Sequence, residues 1–302
     1  MPLESRPLNP DTTPMNNRNT LHVEDAEILS HQAYAGKQFV IRLQAPKTAA
    51  LARAGSFVHV RCDPQRPMRR PLSIMRTDAQ NGWIELLYKV LGEGTRLLSQ
   101  QTVGTAINLI GPIGRPFSAN ANKKHPLLMG GGVGIPPMIF LADQLRQTDA
   151  EPLVLMGSEV PFPFKAHPSQ ILIPGIPEGI IAAMPLLEDW RIASRLCSKQ
   201  GYPGCFDGYI TDLARNWLDN MNPSMHKDVE IFACGPHPML EAVARLAHDY
   251  QLPCQVSLEE FMACAVGGCA GCTVEVKTET GSAMKRVCVD GPVFDAEAVF
   301  QF

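Results

Sequence analysis

Four cysteines near the C-terminus are spaced to hold a metal group. In CAVGGCAGC, Cys264, Cys269 and Cys272 are separated by four and then two residues, and Cys288 follows after fifteen more. A C-x4-C-x2-C run with a distant fourth cysteine suits a 2Fe-2S cluster, because one loop must wrap two irons while three thiolates converge. Gly267, Gly268 and Gly271 allow that wrap, since glycine tolerates positive φ and lets main-chain N-H groups approach sulfur. Zinc is the competing reading, although structural zinc sites usually pair two short C-x2-C knuckles, and here a single loop supplies three ligands. The other five cysteines, Cys62, Cys197, Cys205, Cys234 and Cys254, are scattered and read as small buried hydrophobes.

Four further motifs are individually weaker. In MRRPLSI, Arg70 beside a strand can fork onto a phosphate and Ser73 can hydrogen-bond a polyol or ring edge, yet a basic surface turn around Pro71 would look the same. In YKVLGEGTRLLS, Gly92 and Gly94 precede Thr95 at the start of a helix, an anion-binding arrangement that a simple capping turn also explains. In LLMGGGVGIPPMIFLADQL, Gly130, Gly131, Gly132 and Gly134 lie between a buried strand and a helix opened by Pro136 and Pro137. That is the placement of a dinucleotide fingerprint, and equally of a tight strand-to-helix turn without ligand. In FACGPHPML, Cys234, Gly235 and Pro236 fall at the carboxyl end of a later strand, where a free thiol can touch a nicotinamide or simply pack.

The elements that must position these residues follow from two rhythms. Residues 21–122 show short alternating apolar runs, such as Phe57-Val58-His59-Val60, punctuated by Gly and Pro, the pattern of a small antiparallel barrel. Residues 123–250 alternate strands (126–129, 153–156, 229–233) with helices (138–147, 238–250), the pattern of a doubly wound parallel sheet. Residues 251–302 form the cysteine module. The first twenty residues, rich in Pro and Asn, read as a flexible tail without the basic start and apolar core of a secretion signal. The fold class expected is therefore multidomain β plus α/β, in an order of barrel, Rossmann-like domain and cluster module.

Composition narrows the function. The 302 residues carry 27 Lys+Arg against 30 Asp+Glu, so no basic field exists to hold nucleic acid. The longest apolar stretch, 171–187, is broken by Pro174, Pro177 and Pro185, so no membrane segment is expected and the cytoplasm is the expected compartment. No metalloprotease spacing occurs among the eight His, each read as a surface or satisfied core residue, and no Gly-x-Ser-x-Gly elbow appears.

Taken in order, R-R-P-L-S-I, G-E-G-T, G-G-G-V-G-I-P-P, C-G-P-H-P-M-L and C-x4-C-x2-C…C-V-D-G-P-V-F resemble the ferredoxin-reductase superfamily. More closely, the set is similar to the electron-transfer subunits of class 1B dihydroorotate dehydrogenases, from about Leu21 to the C-terminus. The resemblance implies a barrel that binds FAD, a domain that binds NAD(H) and a 2Fe-2S module held by Cys264, Cys269, Cys272 and Cys288. It implies FAD contacts at Arg70, Pro71, Leu72, Ser73, Tyr88, Lys89, Gly94 and Thr95. It implies nucleotide contacts at Gly132 and Gly134; beside these, Gly131, Gly235 and Pro236 are candidates by their place at strand ends, Glu159 after the second strand could accept from a ribose 2'-hydroxyl, and Cys234 is the candidate catalytic residue beside the nicotinamide.

The implied function is electron passage between NAD(H), FAD and the cluster to or from a separate FMN-containing catalytic subunit, as a heterotetramer, in pyrimidine biosynthesis. A barrel for that chemistry needs roughly 250 residues of its own, and the 302 here are already allocated. Alternatives are a reductase subunit for a hydrogenase, a sulfite or sulfur reductase or an oxygenase, and a non-catalytic cluster-bearing sensor, for which the Pro-rich insert at 160–177 leaves room. Two departures from the family pattern stand out. Ala265 follows the first cysteine where glycine is usual, harmless only at negative φ, and GSEVPFPFKAHPSQ lacks the Arg often found after the second strand of the nucleotide domain.

Overall fold

The computed structural model describes residues 20–302, so the tail expectation for residues 1–19 lies outside the described residues. Six strands, β1 (His22–Tyr34), β2 (Gln38–Gln44), β3 (Phe57–Val60), β4 (Arg70–Asp78), β5 (Trp83–Lys89) and β6 (Ala106–Ile113), close an antiparallel barrel in the order β1-β2-β5-β4-β3-β6. Two short helices, α1 (Pro46–Leu51) and α2 (Glu93–Leu98), fill its connections. The barrel interior holds Ile28, Ile41, Leu43, Val58, Val60, Ile74, Ile84 and Leu86, all fully buried, as period-two alternation requires.

The second half begins with β7 (His125–Gly131), α3 (Ile135–Leu145) and β8 (Leu153–Gly157). An insert then carries the two-stranded β9 (His167–Pro168) and β10 (Ala182–Ala183) before α4 (Pro185–Asp189) and β11 (Ala193–Cys197). Next come α5 (Ile210–Asp219), β12 (Val229–Cys234), α6 (His237–Asp249) and β13 (Cys254–Ser257). The cysteine segment adds the hairpin β14 (Thr273–Thr278) and β15 (Gly281–Arg286), then β16 (Val293–Asp295) and α7 (Ala296–Val299). The main sheet runs β11-β8-β7-β12-β13-β16, parallel except for β16. From β7 the chain leads outward to β8 on one side and later returns to β12 on the other, so the crevice beyond β7 and β12 is the sheet's topological switch point. The last two strands of the sheet thus come from the stretch that also bears the cysteines.

Two packing features join the parts. Helix α3 lies against β4 of the barrel. On β3 every residue is buried: Val58 and Val60 face the barrel interior, whereas Phe57 packs into the core shared by the sheet and the cysteine module. Met262, Ala265, Cys272, Val287 and Cys288 belong to that same second core. No helix among the described residues is long and apolar enough to cross a membrane.

Candidate redox site

The two weak barrel motifs converge in space. Arg70 starts β4, and its guanidinium lies over Gly94 in the first turn of α2, so closely that a Cβ at Gly94 would stand 3.0 Å from Nε. Of the neighbouring cations, Arg96 is held by Glu93 at 2.7 Å and Arg66 reaches the same carboxylate at 3.8 Å. Arg70 donates only to the main-chain carbonyls of Met68 and Arg69 and has no acidic partner among the described residues. A cation without a counter-charge, packed on a glycine, is suited to a phosphate. Thr95 uses its hydroxyl locally, accepting from the N-H groups of Leu91 and Gly92 at 3.1 and 3.3 Å.

The remaining FAD candidates divide by face. Ser73 and Pro71 sit opposite Phe57 and His59 of β3, on the outer face of the barrel, while Leu72 between them is buried. Tyr88 is 1% exposed, stacks on Phe39 at 5.4 Å, and its hydroxyl is bonded to His31 Nε2 at 2.8 Å. Burial pushes its phenol well above the usual range. Lys89 ends β5, half-buried, opposite Gln38.

At the switch point, glycine is required by close approach. A Cβ at Gly134 would lie 2.3 Å from the main-chain oxygen of Cys234, and one at Gly131 would strike the Met239 sulfur. Gly132 has φ of 55°, a left-handed conformation that glycine adopts without strain, and an added Cβ there would meet open space. Gly235 packs beneath Met239, and Pro236 leads into α6. Cys234 pairs with Gly130 across the sheet and is 1% exposed, and burial, then Glu259, hold its thiol protonated. Glu159 follows β8 on an exposed turn.

The four module cysteines stand two by two. Cys264 neighbours Cys269, and Cys272 neighbours Cys288, which also feels Cys264. No three His, Cys, Asp or Glu side chains among the described residues close on a single metal position. Two adjoining thiol pairs fit two irons with two thiolates each better than one tetrahedral zinc. Against desolvation, the N-H groups of Val266, Cys269 and Gly268 and the Cys269 thiol bring Cys264 down to about 7. Burial and the neighbouring Cys272 push Cys288 up to about 12. Gly271 donates its N-H to Cys269 Sγ at 3.4 Å, and Arg286 braces the loop from outside, donating to the Gly267 carbonyl and the Asp290 carboxylate, each at 3.1 Å. Cys269 is exposed, whereas Cys272 and Cys288 are buried.

The Pro-rich insert is a pinned structure. The buried Arg195 donates to the carbonyls of Ile180, Ser194 and Ile171 at 2.7–2.8 Å, and Gln38 of the barrel donates to Pro161 at 2.7 Å. Two findings depart from the sequence reading. Ala265 has φ of 56° at 1% exposure, so the residue in the place of glycine is strained. His59 is fully buried, and neither ring nitrogen closes an aligned hydrogen bond although main-chain groups of Arg69 and Met262 stand beside the ring, so it is neither a surface histidine nor a fully satisfied core one. Its position in an alternating strand pointed only to the barrel's outside; what covers that outside comes from far along the chain.

A barrel with an unpaired arginine at a glycine turn, a parallel sheet with a glycine-lined switch point and a loop of paired thiols define a ferredoxin-reductase-type flavoprotein with an iron-sulfur module. The family of oxidoreductase FAD-binding domains matches residues 20–117, and the iron-sulfur cluster binding domain of dihydroorotate dehydrogenase B matches residues 259–300. A dihydroorotate dehydrogenase B (NAD(+)) electron transfer subunit from Desulforamulus reducens is 32% identical over 276 residues, 90% of this chain and 96% of that protein. The protein of the same description from Geobacillus thermodenitrificans is 32% identical over 283 residues, 91% and 98% of the two chains. The chain belongs to the dihydroorotate dehydrogenase B electron transfer subunit family. Among solved structures, an NADH-dependent reduced ferredoxin-NADP oxidoreductase covers 91% of this chain and 90% of its own at TM-score 0.73 and 26% identity. Phthalate dioxygenase reductase shares the fold at TM-score 0.54 and 18% identity, over 88% and 77% of the two chains.

At Ala265, relief of the left-handed conformation in Ala265→Gly is offset by a more flexible unfolded chain and a lost buried methyl, each on the order of 1 kcal/mol. That variant should match the parent in urea melts. Ala265→Val, β-branched at positive φ in a filled site, should lose about 2 kcal/mol or more and retain less iron after gel filtration.

His59 gives a pH signature. Burial, then the Arg69 and Arg70 charges, lower its imidazole from 6.5 to about 4. The unfolded chain therefore binds the proton first, and the stability of the neutral folded form, complete above pH 6.5, is lost as pH falls toward 4. Between pH 7.5 and 5.5 the parent should lose about 1 kcal/mol more than His59→Leu. Equal losses in paired urea titrations would refute this assignment.

Proposed function

We propose that this chain passes electrons between NAD(H) and an FMN-containing dihydroorotate dehydrogenase catalytic subunit, in a cytoplasmic heterotetramer serving pyrimidine biosynthesis. The observation that supports it most is the pair of thiol pairs in the matched cluster domain, packed into the same core as Phe57 of the barrel. Bound FAD supplies the change from two-electron exchange with a nicotinamide to one-electron exchange with a 2Fe-2S cluster. In this reading Arg70, over Gly94 and Thr95, holds the FAD phosphates, and Ser73 on the outer face of β4 contacts the flavin or ribityl chain. Pro71, Leu72, Tyr88 and Lys89 shape that strand pair; Tyr88 acts from beneath, through its bond to His31. Gly131, Gly132 and Gly134 admit the nicotinamide nucleotide, Gly235 and Pro236 wall the crevice, and Cys234 packs against the nicotinamide as a neutral thiol. Cys264, Cys269, Cys272 and Cys288 ligate the cluster.

The outward side of the cluster loop is the exit. Cys269 is exposed there, with Val266 at 47% and Phe261 at 94%, an apolar rim that a partner would desolvate. Among the described residues no side chain is a base poised for C-H abstraction from a pyrimidine, and in this reading the partner supplies it. A second reading, a flavoprotein subunit serving another acceptor, draws on the likeness to the ferredoxin-NADP oxidoreductase structure.

Reconstitution separates the two. The chain alone should reduce dyes with NADH and leave dihydroorotate untouched, and adding the FMN subunit should create NAD-linked dihydroorotate oxidation. Cys269→Ser should keep FAD and dye reduction while losing most of the coupled turnover. Dihydroorotate turnover by the isolated chain, or none by the mixture, refutes the partnership.

Nucleotide preference follows from the end of β8. Glu159 would accept from a ribose 2'-hydroxyl and repel a 2'-phosphate, and no Lys or Arg occurs from Gln147 to Phe164. With a dye as acceptor, kcat/KM for NADH should exceed that for NADPH by at least tenfold, and the reverse order would overturn the assignment.

A further inference from the structure

The outer face of β3 holds a group that neither the barrel nor the cysteine loop explains alone. His59 is 0% exposed, and with Arg42 Nε its two nitrogens are the buried side-chain atoms without a hydrogen-bond partner among the described residues. A leucine would fill the same space without leaving two polar atoms dry, so packing does not account for an imidazole here. Its position does. The register sets His59 opposite Pro71, on the same face as Ser73 opposite Phe57 and two residue pairs along from it. On the other side the ring has the main chain of Met262 beside it, two residues before Cys264, and the main chain of Arg69 next to Arg70. Arg69 in turn donates to the His59 carbonyl at 3.2 Å and to the Asn108 carbonyl at 3.1 Å, fixing the strand on which the ring stands.

We propose that His59 is a positioning residue for the flavin-to-cluster step: its imidazole, wedged between the flavin strand and the cluster loop, holds the loop at Met262 in register with the face that carries Ser73. The proposal rests on the reading of β4 as the flavin strand and of the cysteine loop as the cluster site. His59 is the only polar side chain that β3 presents to the loop, because Phe57 is apolar and Val58 and Val60 face the barrel interior; main-chain acceptors of Met262 and Arg69 stand close enough to favour a proton on its ring, although no aligned hydrogen bond closes. Removing the imidazole leaves both cofactor sites intact, since the Arg70–Gly94 contact and the four thiols lie elsewhere, and frees the spacing between them.

The test uses the full chain, anaerobic and loaded with FAD and iron, as His59→Leu and His59→Gln. Flavin bleaching by NADH and the EPR signal of the reduced cluster are followed on rapid mixing. His59→Leu should keep its FAD and iron content and its bleaching rate, reduce the cluster at least tenfold more slowly, and show altered g-values for the reduced cluster. His59→Gln, which restores a side-chain N-H donor, should recover most of the rate and the parent g-values. Cluster reduction at the parent rate in His59→Leu overturns the proposal. So does loss of FAD or iron in both variants, or slowing that glutamine does not rescue, since either means packing alone. A parent protein that binds no flavin or no iron sinks the underlying functional reading instead, a distinguishable outcome.

Discussion

The structure depends on one strand being buried on both faces. Strands at the rim of a small barrel usually leave their outer side to solvent, and alternation between apolar and polar residues is the result. β3 breaks that rule: Val58 and Val60 close the barrel, and Phe57 and His59 are covered by the unit that carries the thiols. A four-residue strand thereby becomes the floor of one domain and the wall of another. Because β4 lies beside β3, the strand that presents Arg70 and Ser73 is held at a fixed place relative to the cysteine loop. Helix α3 does the same from the other direction by packing on β4 directly after the glycine turn. Barrel, nucleotide crevice and cysteine loop thus meet around two adjacent strands.

Backbone contact, rather than side-chain contact, sets the geometry of the crevice. Gly134 lies under the Cys234 carbonyl and Gly131 under Met239, so β7 and β12 approach as closely as main chain allows. Any side chain at these points would spread the two strand ends, by forcing either backbone or a packed sulfur to move. The cysteine loop has the opposite economy. There, N-H groups converge on sulfur, and Ala265 tolerates a left-handed conformation to let them do so. A buried methyl in exchange for that strain explains how alanine can stand at a position suited to glycine.

What was legible in the sequence was local. The spacing of the first three thiols, the glycine turn before Pro136 and the alternation along each barrel strand are local patterns, and the strand-turn-helix and the barrel strands form where those patterns indicated. Helix α3 starts at Ile135, three residues earlier than its apolar pattern suggested, because two prolines preset the first turn. Long-range facts were not legible. β13 and β16 are four and three residues long, too short to show a period, and their place in the main sheet depends on β12. The Tyr88 hydroxyl finds His31 across 57 residues, and Met262 covers His59 from the far end of the chain. The Pro-rich insert gave no local sign of what holds it, because its anchors, Arg195 and Gln38, lie outside it.

The same residue type in two settings shows how charge is apportioned. Cys234, at the end of β12, is surrounded by packed main chain, and burial with Glu259 nearby keeps its thiol neutral. Cys264, thirty residues on, is met by three N-H groups and held near neutrality of pH, so its anionic form is accessible without any metal. Within the cysteine set the converging N-H groups favour anionic sulfur at Cys264, whereas burial opposes it at Cys288, where a bound metal would have to supply the drive to thiolate. Arg286 adds a cation whose charge is shared with Asp290, tempering that field instead of maximising it. The cysteine set is thus graded in solvent contact, with Cys269 exposed and Cys272 and Cys288 buried.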